Sequence, residues 1–205
     1  FDGLPHRGSL EGVLGYSSGA LATILTGETA KVHGRMCLFQ RAHDEGSSLS
    51  PLAWMGLLPR QLHERGLFRR WVGAKFAAYR GYEGYFALHK VPPAAFRWLD
   101  VPERDDLFNA PLIGEAPTFL ARARDAGLGV YTSPWQLPEP QRHAQALEVL
   151  QREPPDLAFL YAAELDGALH AEGNRGAKPR AAIARIERFI ESARERMARG
   201  GVALT

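Results

Sequence analysis

The sequence contains a single cysteine, Cys37, among its 205 residues. One thiol cannot form an intramolecular disulfide, and a zinc site built on cysteines needs several of them. These absences exclude the disulfide-stabilised scaffolds and the cysteine-ligated zinc modules. Because Cys37 lies between Met36 and Leu38, we predict that it packs as a small apolar side chain.

Long apolar runs and a strong net charge are missing as well. The chain has no run of 18 apolar residues, so no membrane-spanning helix is predicted. No secretory signal peptide is recognisable. The formal net charge of +2 is too small to indicate nucleic-acid binding. We therefore expect a soluble protein, with the cytoplasm as the favoured compartment, and the sequence indicates no oligomeric state.

Residues 115–205 alternate between helical and strand-like patterns. The predicted helices are 118–126, 141–152 and 178–199, and the predicted strands are 129–133, 157–165 and 202–204. The run at 157–165 is mostly apolar, which is typical of a buried parallel strand. Helices alternating with strands favour a mostly parallel sheet flanked by helices.

Residues 51–110 have a different character, because aromatic side chains alternate with arginine and lysine. A helix is predicted over 60–78, weakened by Gly66 and Gly73. We predict that this region is an inserted helical cap, and that 1–50 and 111–205 form one α/β core. Two interpretations of the insert stay open. Its arginines and aromatics bind phosphate and stack on a base or sugar, or they belong to a solvated packed subdomain.

Hydroxyl groups are concentrated between Gly15 and Gly34. Ser17 or Ser18 is predicted to cap a helix that runs through 20–25, and Gly27 is predicted to end it. A serine at a helix N-terminus is also well placed for nucleophilic attack, because the helix end stabilises anions. The residues alone leave both readings open.

Asp166 and His170 lie four residues apart, just beyond the predicted strand at 157–165. In open α/β folds ligands bind at the carboxyl ends of the strands. A carboxylate and an imidazole together suit zinc, manganese or iron. The alternative is that Asp166 caps a helix and His170 is an ordinary surface residue.

The two segments together carry a family resemblance. Ser17 lies nine residues before the pair Thr26-Gly27, and a His33-Gly34 pair follows. The later D-x-x-x-H pair, Asp166 and His170, is followed by Gly173. These elements, in this order, resemble the alkaline phosphatase superfamily, in its type I phosphodiesterase and nucleotide pyrophosphatase branch.

The resemblance implies a metal-dependent hydrolase of small phosphate esters on an alkaline phosphatase-like α/β fold. It implies two divalent metal ions, zinc or alternatively manganese. Ser17 would bridge the metals and be transiently phosphorylated, and Asp166 and His170 would be ligands of one metal. An insertion after the nucleophile segment, here 51–110, would shape substrate choice.

The sequence also departs from the family pattern. No D-H-G pair follows the predicted strands, and Asp2 lacks the apolar strand that precedes the first metal-binding Asp of the family. The remaining ligands are therefore expected to lie outside these residues, with the chain as the middle of a larger domain. Leu38 stands near the position of a family Asn, so Lys31 or Arg35 is a candidate oxyanion donor.

Two other functions remain alternatives. A sulfatase or phosphomonoesterase is one, although Gly19 and Leu21 replace the Pro and Arg that sulfatases place after the nucleophile. The other is an inactive member of the superfamily that binds a phosphorylated glycan or lipid headgroup.

Overall fold

The computed structural model describes residues 16–42, 46–63, 65–84, 88–101 and 103–199. The chain divides into two compact units. We call them the N-terminal unit, which lies within Leu10–Arg122, and the C-terminal unit, which runs from Ala123 onward. The predicted division into a core of 1–50 with 111–205 and a cap of 51–110 stays a prediction.

The described residues form eight α-helices, three short 3₁₀ helices and six strands. The α-helices are α1 (Ser17–Thr26), α2 (Ala30–His33), α3 (Arg60–His63), α4 (Gly66–Arg80), α5 (Phe119–Asp125), α6 (Glu139–Arg152), α7 (Glu164–Glu172) and α8 (Ala177–Arg199). The 3₁₀ helices are η1 (Ser50–Leu57), η2 (Leu88–Lys90) and η3 (Pro93–Arg97). The strands are β1 (Gln40–Arg41), β2 (Leu99–Asp100), β3 (Leu112–Ile113), β4 (Ala116–Pro117), β5 (Val130–Thr132) and β6 (Leu157–Phe159).

The N-terminal unit has an apolar core built largely from helices. The buried members of this core are Leu49, Leu52, Met55, Val72, Phe76, Leu88, Val91, Phe96 and Val101. On α4, Val72 and Phe76 are four residues apart and therefore point to the same side. The helix predicted over 60–78 is present in two pieces, because Arg65 adopts an extended conformation with φ −66° and ψ 114° before α4 begins.

The C-terminal unit contains a β–α–β element in which β5 and β6 are parallel and α6 connects them. Val130 is opposite Leu157, and Thr132 is opposite Phe159. The long helix α8 packs on α6, where the rings of His143 and Phe189 stack with centroids 4.0 Å apart. The structure confirms the predicted strand at 129–133 and the helices predicted at 118–126, 141–152 and 178–199, and no end is displaced by more than two residues.

The strand predicted over 157–165 is too long. It ends at Phe159, its residues are only partly buried, and α7 begins at Glu164. An apolar run does not distinguish a strand from the start of a helix, which is why the boundary was misplaced. The strand predicted at 202–204 lies outside the described residues.

The predicted mixed α/β class is confirmed, with helices as the main component. The described residues contain three two-stranded sheets, of which β1–β2 and β3–β4 are antiparallel and β5–β6 is parallel. A large parallel sheet flanked by helices is not present among them and stays a prediction. None of the helices in these residues combines the length and apolar character needed to cross a bilayer.

Candidate active site

Ser17 is the first residue of α1, and its side chain is exposed. The N-cap is Tyr16, whose carbonyl accepts hydrogen bonds from the N–H groups of Gly19 and Ala20. The prediction that Ser17 or Ser18 caps the helix is therefore wrong, because both serines lie inside it. The predicted end at Gly27 is confirmed, since Gly27 is left-handed with φ 72°.

Ser18 differs sharply from its neighbour. It is only 6% exposed, and its Oγ finds no hydrogen-bond partner among the described residues. Of the two adjacent hydroxyls, only that of Ser17 is therefore accessible to a substrate from solvent.

The first turn of α1 is fixed against residues 35 and 36. The N–H of Tyr16 donates to the carbonyl of Met36 at 2.9 Å. A Cβ at Gly19 would lie 3.1 Å from the carbonyl oxygen of Arg35 and 3.2 Å from that of Met36. The close backbone approach therefore favours glycine at position 19, and it helps to set the position of Ser17. The next residue, Cys37, is partly buried and donates its thiol to the carbonyl of Phe39.

His33 fastens α1 to α2. Its Nδ1 accepts the N–H of Arg35 at 3.2 Å, so the ring proton resides on Nε2, which donates to Thr23 Oγ1 at 3.1 Å. Burial, followed by the charge of Arg35, lowers the pKa of His33 below its ordinary value. His33 is therefore a neutral, buried connector, and the following Gly34 ends α2 with φ 71°.

Arg35 and Glu103 are charged residues buried in the N-terminal unit, 5% and 7% exposed. Burial lowers the pKa of Arg35, against the opposing effect of Glu103 and Asp105. Burial likewise raises the pKa of Glu103, against the effect of Arg35. Arg35 Nη1 and Glu103 Oε2 have no hydrogen-bond partner in the described part of the chain. Of the two candidate oxyanion donors, Arg35 is thus buried, whereas Lys31 is exposed on α2.

Asp166 and His170 are brought together on α7 in the C-terminal unit. Asp166 Oδ1 and His170 Nε2 are 3.5 Å apart, because residues four apart on a helix share one face. Both side chains face solvent, with 68% and 81% of their surface exposed. Asp166 lies in the first turn of α7 and does not occupy its N-cap position, which belongs to Ala163.

The start of α7 is held by a buried carboxylate that the sequence analysis did not identify. Glu139 Oε2 accepts the N–H groups of Ala163 at 2.6 Å and Glu164 at 2.9 Å. Arg142 Nη2 lies 3.4 Å from the same oxygen, and both side chains are almost fully buried. A glutamate in the first turn of a helix is usually a solvated residue, so the sequence held no signal of this role.

Ser17 belongs to the N-terminal unit, whereas Asp166 and His170 belong to the C-terminal unit. Among the described residues, no three His, Cys, Asp or Glu side chains converge as ligands for one metal ion. The pair on α7 therefore supplies two donors. The assignment of Ser17, Asp166 and His170 to one site stays a prediction.

Comparison of the chain with models of known protein families, with curated proteins and with solved structures finds no match in any of the three.

Proposed function

We propose that the chain is a metal-dependent hydrolase of phosphate esters, of the phosphodiesterase or nucleotide pyrophosphatase type, with Ser17 as its nucleophile. This proposal includes membership of the alkaline phosphatase superfamily. The observation that carries it is the contrast between Ser17 and Ser18. The residue that the resemblance assigns as nucleophile is exposed at the first position of a ten-residue helix, and its neighbour is buried.

The position of Ser17 suits attack on a phosphate. The N–H groups and the dipole at a helix N-terminus stabilise negative charge. In the first step, Ser17 Oγ loses its proton and forms a bond to phosphorus while the bond to the leaving oxygen breaks, and the leaving oxygen takes up a proton and departs as the alcohol. In the second step, the oxygen of a water molecule forms a bond to phosphorus while the bond to Ser17 Oγ breaks, and a proton of that water restores the serine hydroxyl as the phosphate product leaves.

Asp166 and His170 fit a metal by donor type and spacing. Two ligand atoms about 2.1 Å from a tetrahedral zinc ion are separated from each other by roughly 3.4 Å. The 3.5 Å between Asp166 Oδ1 and His170 Nε2 agrees with that value. When bound, a pair of zinc or manganese ions would supply Lewis-acid stabilisation of the attacking and leaving oxygens. Glu139 would keep the two ligands in place, since it holds the start of their helix.

The same proposal extends to the fold. The β5–α6–β6 element has the parallel pairing and helical crossover from which larger parallel sheets are built. We expect it to be part of a mostly parallel sheet of the alkaline phosphatase type. An experimental structure with β5–β6 isolated from any further strand would contradict this.

The test is hydrolysis of a chromogenic phosphodiester and of the matching monoester, with zinc or manganese added. Ser17→Ala should reduce diester turnover by about 1000-fold or more, because the nucleophile is lost. The matched control is Ser18→Ala, which removes a hydroxyl one residue away and should leave most of the activity. Equal rates for the two variants would refute Ser17 as nucleophile. No turnover and no bound metal in the parent would favour the inactive, ligand-binding alternative.

A further inference from the structure

A cleft of about 490 Å³ separates α4 from η2 in the N-terminal unit. This volume is within the range of small-molecule sites. The lining residues are Arg69, Arg70, Gly73, Ala74 and Ala77 of α4, and Leu88, His89 and Lys90 of η2. The lining contains none of the residues assigned to the hydrolase site.

Small residues on α4 create the cleft. Gly73, Ala74 and Ala77 occupy neighbouring positions on the side of α4 that faces η2. Their short side chains leave space between the two elements that a longer side chain would fill. The exposed methyl groups of such a surface can contact the carbon part of a ligand.

Arg69 holds the two walls of the cleft together. Its Nη2 donates to the carbonyl oxygens of Leu88, at 3.4 Å, and of Val91. Leu88 and Val91 are themselves buried in the apolar core. The wall formed by η2 is therefore attached both to α4 and to the core, so the cleft is preformed.

The lining is basic, and the described residues that form it include no Asp or Glu. Arg70 and Lys90 are exposed, and Arg69 adds a third positive charge. Burial, and then the charges of Arg70, Lys90 and Arg69, lower the pKa of His89, which lines the same cleft. Several positive charges thus act on one small volume, and arginine binds phosphate oxygens through paired N–H donors.

We propose that this cleft binds a small phosphorylated molecule, with Arg70 and Lys90 contacting its phosphate and Ala74 and Ala77 contacting its carbon skeleton. The proposal does not depend on the hydrolase function, because the two sets of residues are different.

Calorimetric titration of the protein with inorganic pyrophosphate and with ribose 5-phosphate tests the proposal. Ribose serves as the uncharged control, and a chelator removes any metal-dependent binding at the hydrolase site. We expect both phosphates to bind and ribose not to bind. The double variant Arg70→Gln/Lys90→Gln should lower the affinity about tenfold, since the loss of each exposed charge weakens binding by up to about threefold.

Two matched controls lie on the same helix. Lys75→Gln removes an exposed charge of α4 outside the cleft and should leave the affinity unchanged. Ala74→Leu fills the cleft and should weaken binding of ribose 5-phosphate, whereas Ala78→Leu, exposed outside the cleft, should not. Absence of phosphate binding, or an equal loss in Lys75→Gln and in the double variant, would overturn the proposal. Thermal unfolding of each variant establishes that it is folded.

Discussion

Glu139 Oε2 accepts the backbone N–H of Ala163 at 2.6 Å, so a residue at the start of α6 holds the residue before α7. The N–H of Glu164 donates to the same oxygen at 2.9 Å. The helices α6 and α7 follow the parallel strands β5 and β6, so the contact joins the two segments that come after the carboxyl ends of these strands. It also fixes the start of the helix that carries Asp166 and His170.

Glu139→Ala should lower the free energy of unfolding by about 3–5 kcal/mol, because it leaves the buried Arg142 without its partner carboxylate. Glu139→Gln should lower the free energy of unfolding by less, since its amide oxygen can still accept hydrogen bonds from the N–H groups of Ala163 and Glu164. Urea denaturation measures both variants. Glu153→Ala, at an exposed position just after α6, is the control. A loss at Glu139 no larger than the loss at Glu153 would show that the contact contributes little.

Asp166→Ala and His170→Ala should each weaken zinc binding by about 10- to 100-fold or more, because each removes one of two paired donors. Calorimetric titration with zinc measures the affinity. Glu148→Ala removes an exposed carboxylate from α6 and should leave zinc binding unchanged. If all three variants bind zinc as the parent does, the pair on α7 is not a metal site.

Gly19→Ala should destabilise the protein by about 1–3 kcal/mol, because the new Cβ would crowd the carbonyl oxygens of Arg35 and Met36. Gly167→Ala is the matched substitution inside α7, where a Cβ meets nothing within 4 Å. It should stabilise by about 0.5–1 kcal/mol, since alanine favours the helix. Thermal unfolding of both variants gives the comparison. A change of the same sign in both would contradict the proposed contact at Gly19.

His33 should make stability fall as the solution is acidified. Its pKa in the folded protein is below the ordinary value of 6.5, so the unfolded chain takes up the proton more readily. The stabilisation that neutral His33 contributes is complete above pH 6.5 and is lost as the pH falls below it. The measurement is urea denaturation of the parent and of His33→Gln between about pH 7.5 and about pH 5.5. The stability advantage of the parent should shrink over this interval, and an advantage that is constant or grows would contradict the assignment.

The helices that were predicted well are those with strong local signals. The repeating apolar positions of α8 indicate a helix there. The glycines after α1 and α5 mark where those two helices end. The predicted cap of α1 was misplaced by one or two residues, since the N-cap is Tyr16, whose N–H donates to the carbonyl of Met36, twenty residues away along the chain. Local preference for serine at a cap carries no information about such a pairing.

The sequence likewise predicts some features of the candidate site and not others. The proximity of Asp166 and His170 follows from the geometry of α7, but no helix was predicted over 164–172, so the sequence supplied only their four-residue spacing. The exposure of Ser17 and the burial of Ser18 depend on which side of α1 packs against residues 35 and 36. The burial of Glu139, Arg142 and Glu103 was not predicted, because the sequence around a charged residue does not show whether its side chain is buried or exposed.

By itself, the sequence determined the type and approximate extent of the longer helices, the mixed α/β class and the spacing of the α7 pair. These properties arise from interactions within a few residues, where periodicity and end signals suffice. Only the tertiary structure decided which of two adjacent serines is accessible, which charges are buried, and where α4 and η2 leave a basic cleft. Each of these depends on contacts between residues distant in the chain, and their energies are not encoded in any local pattern.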